Sequence, residues 1–281
     1  MTSKVQSKPY SIVTYLLLLL LFVSSVKAEQ TTRLVVLAPD LAQNLIALGA
    51  AAQIKGIIAN PRLEQQLPGA EVVGDHQLLN FEKILSIKPD WVIAWQGGNP
   101  ESQLRRLESL GVRLLRVKTE RLEDFPAQLE LYGELLGRQA EAEELIQQFL
   151  SEIERYEVKT GAEVRLFYEL WHSPLMTLND SSWIAEIFTL CGATNALGNA
   201  IEAYPQVSDE AVLAEDIDLI LGSSELPKNW HDKWRKWPQI PAVAADQIYT
   251  VNADYLHQLT LDTVKGVEQV CQAVEQARRF R

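Results

Sequence analysis

One helix–strand unit occurs twice in this chain. Glu82-Lys83-Ile84-Leu85-Ser86-Ile87-Lys88-Pro89-Asp90-Trp91-Val92-Ile93 aligns without a gap on Glu210-Ala211-Val212-Leu213-Ala214-Glu215-Asp216-Ile217-Asp218-Leu219-Ile220-Leu221, 128 residues later. Each copy opens with a glutamate, has an apolar pair two and three positions on, and an aspartate eight positions on. The pattern predicts a short helix feeding a buried strand in both places. A unit reused at that distance predicts two similar lobes, and a cleft between lobes is a common place for a small ligand. On spacing alone, the alternative is a chance match between two ordinary helix–strand units.

The first 28 residues read as a leader rather than as part of the fold. Lys4 and Lys8 precede the apolar run Leu16 to Val23, and Val26-Lys27-Ala28 is similar to a small-x-small cleavage pattern. The run is shorter than the roughly 20 residues of a membrane span, although an uncleaved anchor is the alternative. Neither cysteine lies near the cut, which excludes a lipid-bearing N-terminal cysteine. The leader holds three lysines and no acids, so its removal takes the net charge from -11 to -14. A chain this acidic is a poor partner for nucleic acid or an anionic bilayer. It is expected to be exported and not inserted in the membrane. Cys191 and Cys271 are the only cysteines. In an oxidising compartment a solitary pair reads as one disulfide, with two buried free thiols as the alternative. Their spacing excludes CxxC redox chemistry.

Strands are expected at Leu34 to Ala38, Ile54 to Ile58, Trp91 to Trp95 and Val112 to Val117, alternating with helices, and Glu71 to Gly74 is expected to be short and extended. Alternation of this kind predicts parallel sheets covered on both faces. Asp40 with Gln43 is read as a capping box on the first helix. From Leu122 to Tyr156 the period is helical with one break near Gly137-Arg138, which predicts a long helix bridging two α/β units. A strand restarts at Val164, Trp183 to Cys191 is helical, and a late strand at Ile248 precedes a closing helix from Thr260 to Arg281.

Ligands of parallel α/β sheets collect beyond the C-terminal ends of the strands. Asn60, Asp75, His76, Trp95, Gln96, Asn99, Trp171, His172, Asp254, Tyr255, His257 and Gln258 fall at such ends, and Tyr204 precedes the second repeat. Aromatic walls suit a flat or bulky organic ligand. Trp91, Trp183, Trp234 and Trp237 are assigned to ordinary packing. His76, His172 and His257 with Asp254 could approach a metal ion, but no HxH or HxxxH pair exists and ordinary loop histidines are the simpler reading. No nucleophile elbow, phosphate loop, dinucleotide fingerprint or HExxH occurs, so an enzyme is not expected.

Lys88-Pro89-Asp90-Trp91-Val92-Ile93-Ala94-Trp95-Gln96-Gly97-Gly98-Asn99, Leu107 to Val112, Cys191-Gly192, Tyr204-Pro205-Gln206-Val207-Ser208 and Cys271 together resemble the periplasmic cobalamin-binding proteins of vitamin ABC importers (BtuF type), over nearly the whole mature chain. The resemblance implies an α/β fold of two Rossmann-like lobes with parallel sheets, joined by a long interdomain helix, with the ligand between the lobes. The segments are residues 1–28 as signal peptide, 29–120 as N-terminal lobe, 121–160 as helical connector and 161–281 as C-terminal lobe. It implies that Glu82 and Glu210 dock onto arginines of the permease, and that Asn60, His76, Trp95, Tyr204, Asp254 and Gln258 contact the ligand. Relative to the best-known family pattern, Asn60 stands for Tyr, His76 for Trp, Tyr204 for Trp and Gln258 for Arg. The walls are less aromatic and one cation is missing. The expected cargo is cobalamin or a related corrinoid delivered to the permease of an inner-membrane ABC importer, with no cofactor and no bound metal. A contact of His76 with the ligand cobalt is conceivable. Haem or a ferric siderophore is the alternative cargo, and an exported enzyme the alternative class.

Overall fold

A computed structural model of the chain describes residues 31–157 and 161–280. The leader, and the ends of the connector and of the last segment, lie outside the described residues. The first lobe builds a parallel sheet from β1 (Leu34–Val36), β2 (Ile54–Ile57), β3 (Glu71–Val72), β4 (Trp91–Trp95) and β5 (Leu114–Val117), in the order β3-β2-β1-β4-β5. Its helices are α1 (Pro39–Ala47), α2 (Pro61–Gln66), α3 (Phe81–Ile87) and α4 (Glu101–Ser109). Two long helices follow, α5 (Asp124–Leu136) and α6 (Gln139–Glu154), separated at Gly137, whose φ of 68° the left-handed helix cap requires. The second sheet contains β6 (Val164–Glu169), β7 (Ala193–Asn195), β8 (Leu219–Ser223) and β9 (Ile248–Val251), all parallel, in the order β7-β6-β8-β9. Helices α7 (Trp183–Leu190), α8 (Asp209–Leu213), α9 (Pro241–Ala244), α10 (Ala253–Leu256) and α11 (Thr263–Arg278) complete it.

Both faces of each sheet are buried, and the side-chain alternation of a strand produces this directly. Leu34 and Val36 point into one apolar layer while Val35 and Leu37 point into another; Leu166 and Tyr168 oppose Phe167 in the same way. The inner layer is continuous from the first lobe through Phe125 and Phe149, whose rings are 4.4 Å apart, into the second lobe. A shared core makes α5 and α6 a stiff bridge rather than a flexible linker.

The repeated unit is a repeat in space. Asn80 and Ser208 cap α3 and α8, accepting from Lys83 and Ala211 at 3.0 and 3.2 Å. Glu82 and Glu210 therefore occupy the same second position of equivalent helices. The repeated aspartates do the same work too. Asp90 Oδ2 accepts the Arg33 N–H at 2.7 Å, just before β1, and Asp218 Oδ2 accepts the Arg165 N–H at 2.8 Å near the start of β6.

The expected capping box is overturned. Helix α1 starts two residues earlier, at Pro39, with Ala38 rather than Asp40 at the cap and no side-chain capping bond. Proline fits the first turn because its missing N–H is not needed there. This draws Asp40 inside the first turn, partly buried against the bridge. Burial there pushes its carboxyl from an ordinary 3.8 up to about 6, against the lowering effect of backbone N–H donors, Leu41 first.

Cys191, at the end of α7, is bonded to Cys271 in α11, with 4.8 Å between their Cα atoms. The bond closes a span of 80 residues, for which the chain-entropy relation gives about 4.5 kcal/mol. The double Cys191→Ser, Cys271→Ser variant is predicted to lose most of that in urea unfolding; a loss below about 1 kcal/mol would contradict the cross-link's role. Asp40 yields a pH prediction. Between pH 3.8 and about 6 the folded chain holds a proton on Asp40 that the unfolded chain releases. Stability contributed by this group is therefore lost as pH rises through that window. Asp40→Asn should gain about 1–2 kcal/mol at pH 8, discounted for partial exposure, and little at pH 4. A variant equally shifted at both pH values would refute the assignment.

Candidate functional site

The C-terminal edges of both sheets open onto the space between the lobes. On the first lobe the wall is built around Trp95, the last residue of β4. The turn behind it is held by Asn99, which is buried: its Oδ1 accepts the Trp95 N–H at 2.7 Å, and its Nδ2 donates to the Leu37 carbonyl at 2.9 Å. Gly97 takes a φ of 94°, which disfavours other residues. A Cβ on Gly98 would lie 1.7 Å from the Trp95 ring. The indole thus lies flat on Gly98, and the Trp-x-Gly-Gly-Asn string is the chemistry of that platform.

On the second lobe Tyr204 sits between pinned points. Ala203 accepts from Asn179 N–H at 2.9 Å, Pro205 accepts from Thr177 at 3.1 Å, and Val207 donates to Leu175 at 3.0 Å. Ser208 then caps α8. One short run therefore aims both the Tyr204 ring and the Glu210 carboxylate. Trp95 and Tyr204 face a common cavity of about 380 Å³ with Gln96, Thr119, Ser181 and Trp183. Trp183, expected to serve packing alone, does more. It is largely buried, yet its remaining edge lines this cavity. Its position at a helix start, away from any strand exit, left no sequence signal for that. Trp91 is at the opposite, N-terminal end of β4, beneath the Arg113 guanidinium at 4.2 Å.

Asp254 and Gln258 line a second recess further along the cleft, together with Asn44 and Arg62 of the first lobe. Asn60 caps α2, its side chain accepting the Leu63 N–H at 3.0 Å, and so sets the turn that carries Arg62. Arg62 lies 3.9 Å from Asp254 and 3.4 Å from Asp262. A first-lobe cation thus stands beside Asp254, across the cleft. Sequence reasoning missed this, because Arg62 and Asp254 are distant in the chain. Asn44 Nδ2 adds an interlobe bond to the Leu259 carbonyl at 2.9 Å.

His76 is exposed, in a turn that Asp75 organises by accepting the Gln77 and Leu78 N–H groups, each at 2.8 Å. These bonds, Leu78 first, hold the Asp75 carboxyl below its usual range. His257 is enclosed: Nε2 is 2.8 Å from the Tyr168 hydroxyl and Nδ1 is 3.2 Å from Glu225. Desolvation pulls its pKa down despite Glu225. His172 and Trp171 line a third recess, of about 340 Å³, with Glu225. Among the described residues no group of three His, Cys, Asp or Glu side chains could hold a metal ion. Nor is any helix among them long and apolar enough to cross a membrane.

Glu82 and Glu210 are exposed, and neither carboxylate has a cationic partner among the described residues. The Glu210 carboxyl is held below its usual range by its own backbone N–H first and then by the Ser208 hydroxyl.

Two lobes with parallel sheets, a stiff helical bridge and a cleft lined from both sides define a substrate-binding protein. The model of the periplasmic binding protein family matches residues 34–255, and the chain belongs to that family. Within it the similarity is to BtuF-type proteins. The vitamin B12-binding protein of Vibrio cholerae serotype O1 is 32% identical over 250 residues, covering 88% of this chain and 90% of that one. The crystal structure of the periplasmic vitamin B12 binding protein BtuF of Vibrio cholerae superposes with a TM-score of 0.79 at 31% identity, over 88% of this chain and 98% of that one. The periplasmic haem-binding protein RhuT of Roseiflexus shares the fold, with a TM-score of 0.76 at 19% identity over 88% and 99% of the two chains.

Proposed function

We propose that this protein captures cobalamin, or a closely related corrinoid, in the cleft and delivers it to the permease of an inner-membrane ABC importer. The observation that carries the reading is the aromatic cavity shared by Trp95 and Tyr204, which come from opposite lobes of a chain whose relatives bind vitamin B12. Residues 1–28 act as the export leader, and the mature chain works in the periplasm as a monomer without catalysing a reaction. Trp95, Tyr204 and Trp183 cover the flat macrocycle. Asn60, His76, Asp254 and Gln258 meet its amide rim, with Arg62 supplying the positive charge. A neutral, amide-rich ligand suits this mixture of indole faces and short polar contacts.

Titration with cyanocobalamin and with haem, followed by calorimetry and absorbance, tests the cargo. Stoichiometric binding of the corrinoid, tighter than haem, is expected; haem binding without corrinoid binding would refute it. Trp95→Ala removes a large apolar contact and should weaken corrinoid binding by about 1–3 kcal/mol with unfolding unchanged. Unaltered affinity would remove Trp95 from the site.

Glu82 and Glu210 serve delivery. Equivalent positions in duplicated units let one exposed carboxylate per lobe meet arginines of a two-fold permease, a pairing that fixes orientation because it can be bidentate. Charges at such rims govern encounter more than ligand affinity. Glu82→Ala with Glu210→Ala should abolish or strongly reduce uptake, each single change less so, with corrinoid affinity unchanged. Normal uptake by the double variant at normal expression would rule the docking role out.

A further inference from the structure

Two large aliphatic side chains are held out into solvent, one on each lobe. Leu78 is 69% exposed and Ile201 is 99% exposed. The exposed Trp95, Trp171 and Tyr204 line the cavities described above, whereas Leu78 and Ile201 line none of them. Single exposed aliphatic side chains are ordinary on a protein surface. Two things set this pair apart: where the residues stand in the duplicated unit, and how firmly their turns are built.

Strands β3 and β7 are each an edge strand of their sheet. Leu78 lies in the loop that leaves β3 and enters α3, and Ile201 in the loop that leaves β7 and enters α8. Those are the helices whose second residues are Glu82 and Glu210. The duplicated unit thus extends back, in each lobe, through one exposed aliphatic residue to an edge strand. Both loops begin at the C-terminal ends of parallel strands, the side on which the cleft opens.

The first turn closes on itself. The Asp75 N–H donates to the Leu78 carbonyl at 3.0 Å, and the Asn80 N–H to the Val73 carbonyl at 2.7 Å. Gln103 of α4 ties the turn down, accepting the Leu79 N–H at 2.7 Å and donating to the Gln77 carbonyl at 2.5 Å. A Cβ on Gly74 would lie 2.3 Å from the Leu78 carbonyl oxygen, so the two sides of the turn touch. In the second lobe, buried Asn179 grips the loop at two points. Its side chain donates to the Ala200 carbonyl and its backbone N–H to the Ala203 carbonyl, each at 2.9 Å. Ile201 and Glu202 are the residues between the grips, and both are exposed. A fixed backbone that presents an apolar side chain has already met much of the ordering cost of being covered.

We propose that Leu78 and Ile201 are the apolar anchors of the permease interface, each entering an apolar recess beside the arginine that meets Glu82 or Glu210, one on each permease subunit. The proposal rests on the docking reading above. Carboxylates at a rim set encounter rate and salt dependence. Burial of apolar area beside them slows dissociation. Glu202, exposed next to Ile201, calls for a basic rim on the recess that receives it.

The test follows association of the protein with its permease in lipid nanodiscs by surface plasmon resonance across a range of salt concentrations, with cyanocobalamin titration alongside. Leu78→Ser and Ile201→Ser should each speed dissociation about 5–10-fold, and together about 30-fold or more, with the association rate and its salt dependence near wild type. Leu78→Met and Ile201→Leu should keep wild-type dissociation. Thermal unfolding and cyanocobalamin affinity should be unchanged in all four. Glu82→Ala with Glu210→Ala should instead slow association and flatten its salt dependence. Wild-type dissociation by the Leu78→Ser, Ile201→Ser double variant overturns the anchors, and the docking reading still stands if the carboxylate variant fails to associate. Weakened cyanocobalamin binding by Ile201→Ser would make that residue part of the cleft and also overturns the proposal. Normal docking by both double variants overturns anchors and docking reading together.

Discussion

Two aspartates hold the starts of the two sheets. Asp90 takes the Arg33 N–H on its carboxylate and returns its own N–H to the Arg33 carbonyl at 2.9 Å; Asp218 does the same with Arg165, also at 2.9 Å. Each closes a two-point bond between the strand it precedes and the neighbouring central strand. Register matters acutely there, because a slip of one residue turns every side chain to the other face. With both faces buried, a slip would exchange Val35 for Leu34 and Phe167 for Leu166 throughout the packing. Pinning the lower edge of each sheet also sets where its strands end. Trp95 and Glu169 leave the sheets at the cleft because Trp91 and Leu219 are paired in register at the other end.

The cleft is built on two walls of different character. The first-lobe wall is a rigid platform: a glycine turn, an indole laid on Gly98, and Asn99 tying both to β1. The second-lobe wall is a set of loops pinned by backbone bonds, with His172 held on buried Glu169, which also takes the Trp234 indole N–H, and His257 held between buried Tyr168 and exposed Glu225. Between them, Asp254 of the second lobe pairs with Arg62 of the first, at 3.9 Å across the cleft.

Rigidity comes from the same parts that build the core. The apolar layer runs unbroken through Phe125 and Phe149, and the Cys191–Cys271 bond ties the closing helix to the second sheet's flank. Motion between the lobes is resisted by packed side chains rather than by a hinge of glycines.

Much of this was legible in the chain. The repeat of Glu82 to Ile93 at Glu210 to Leu221 predicted paired lobes because a helix period of 3.6 and a strand period of 2 are local properties, written in neighbouring residues. Helix α3, strand β4 and strand β9 fall at the residues expected, since their ends are marked by Asn, Pro, Asp and Gly. Helix α1 did not follow its local signal: Pro39 and Asp40 compete for the same turn, and packing against the bridge decides for proline at the cap side and burial of Asp40. The chain by itself determined the elements, their alternation and the residues that leave the strands. Only the tertiary structure decided that Trp183 shares a cavity with Trp95, that Arg62 answers Asp254, and that His172 rests on a buried carboxylate. Those relations join residues far apart in sequence, and the physical terms that create them, desolvation and charge pairing across an interface, have no local signature.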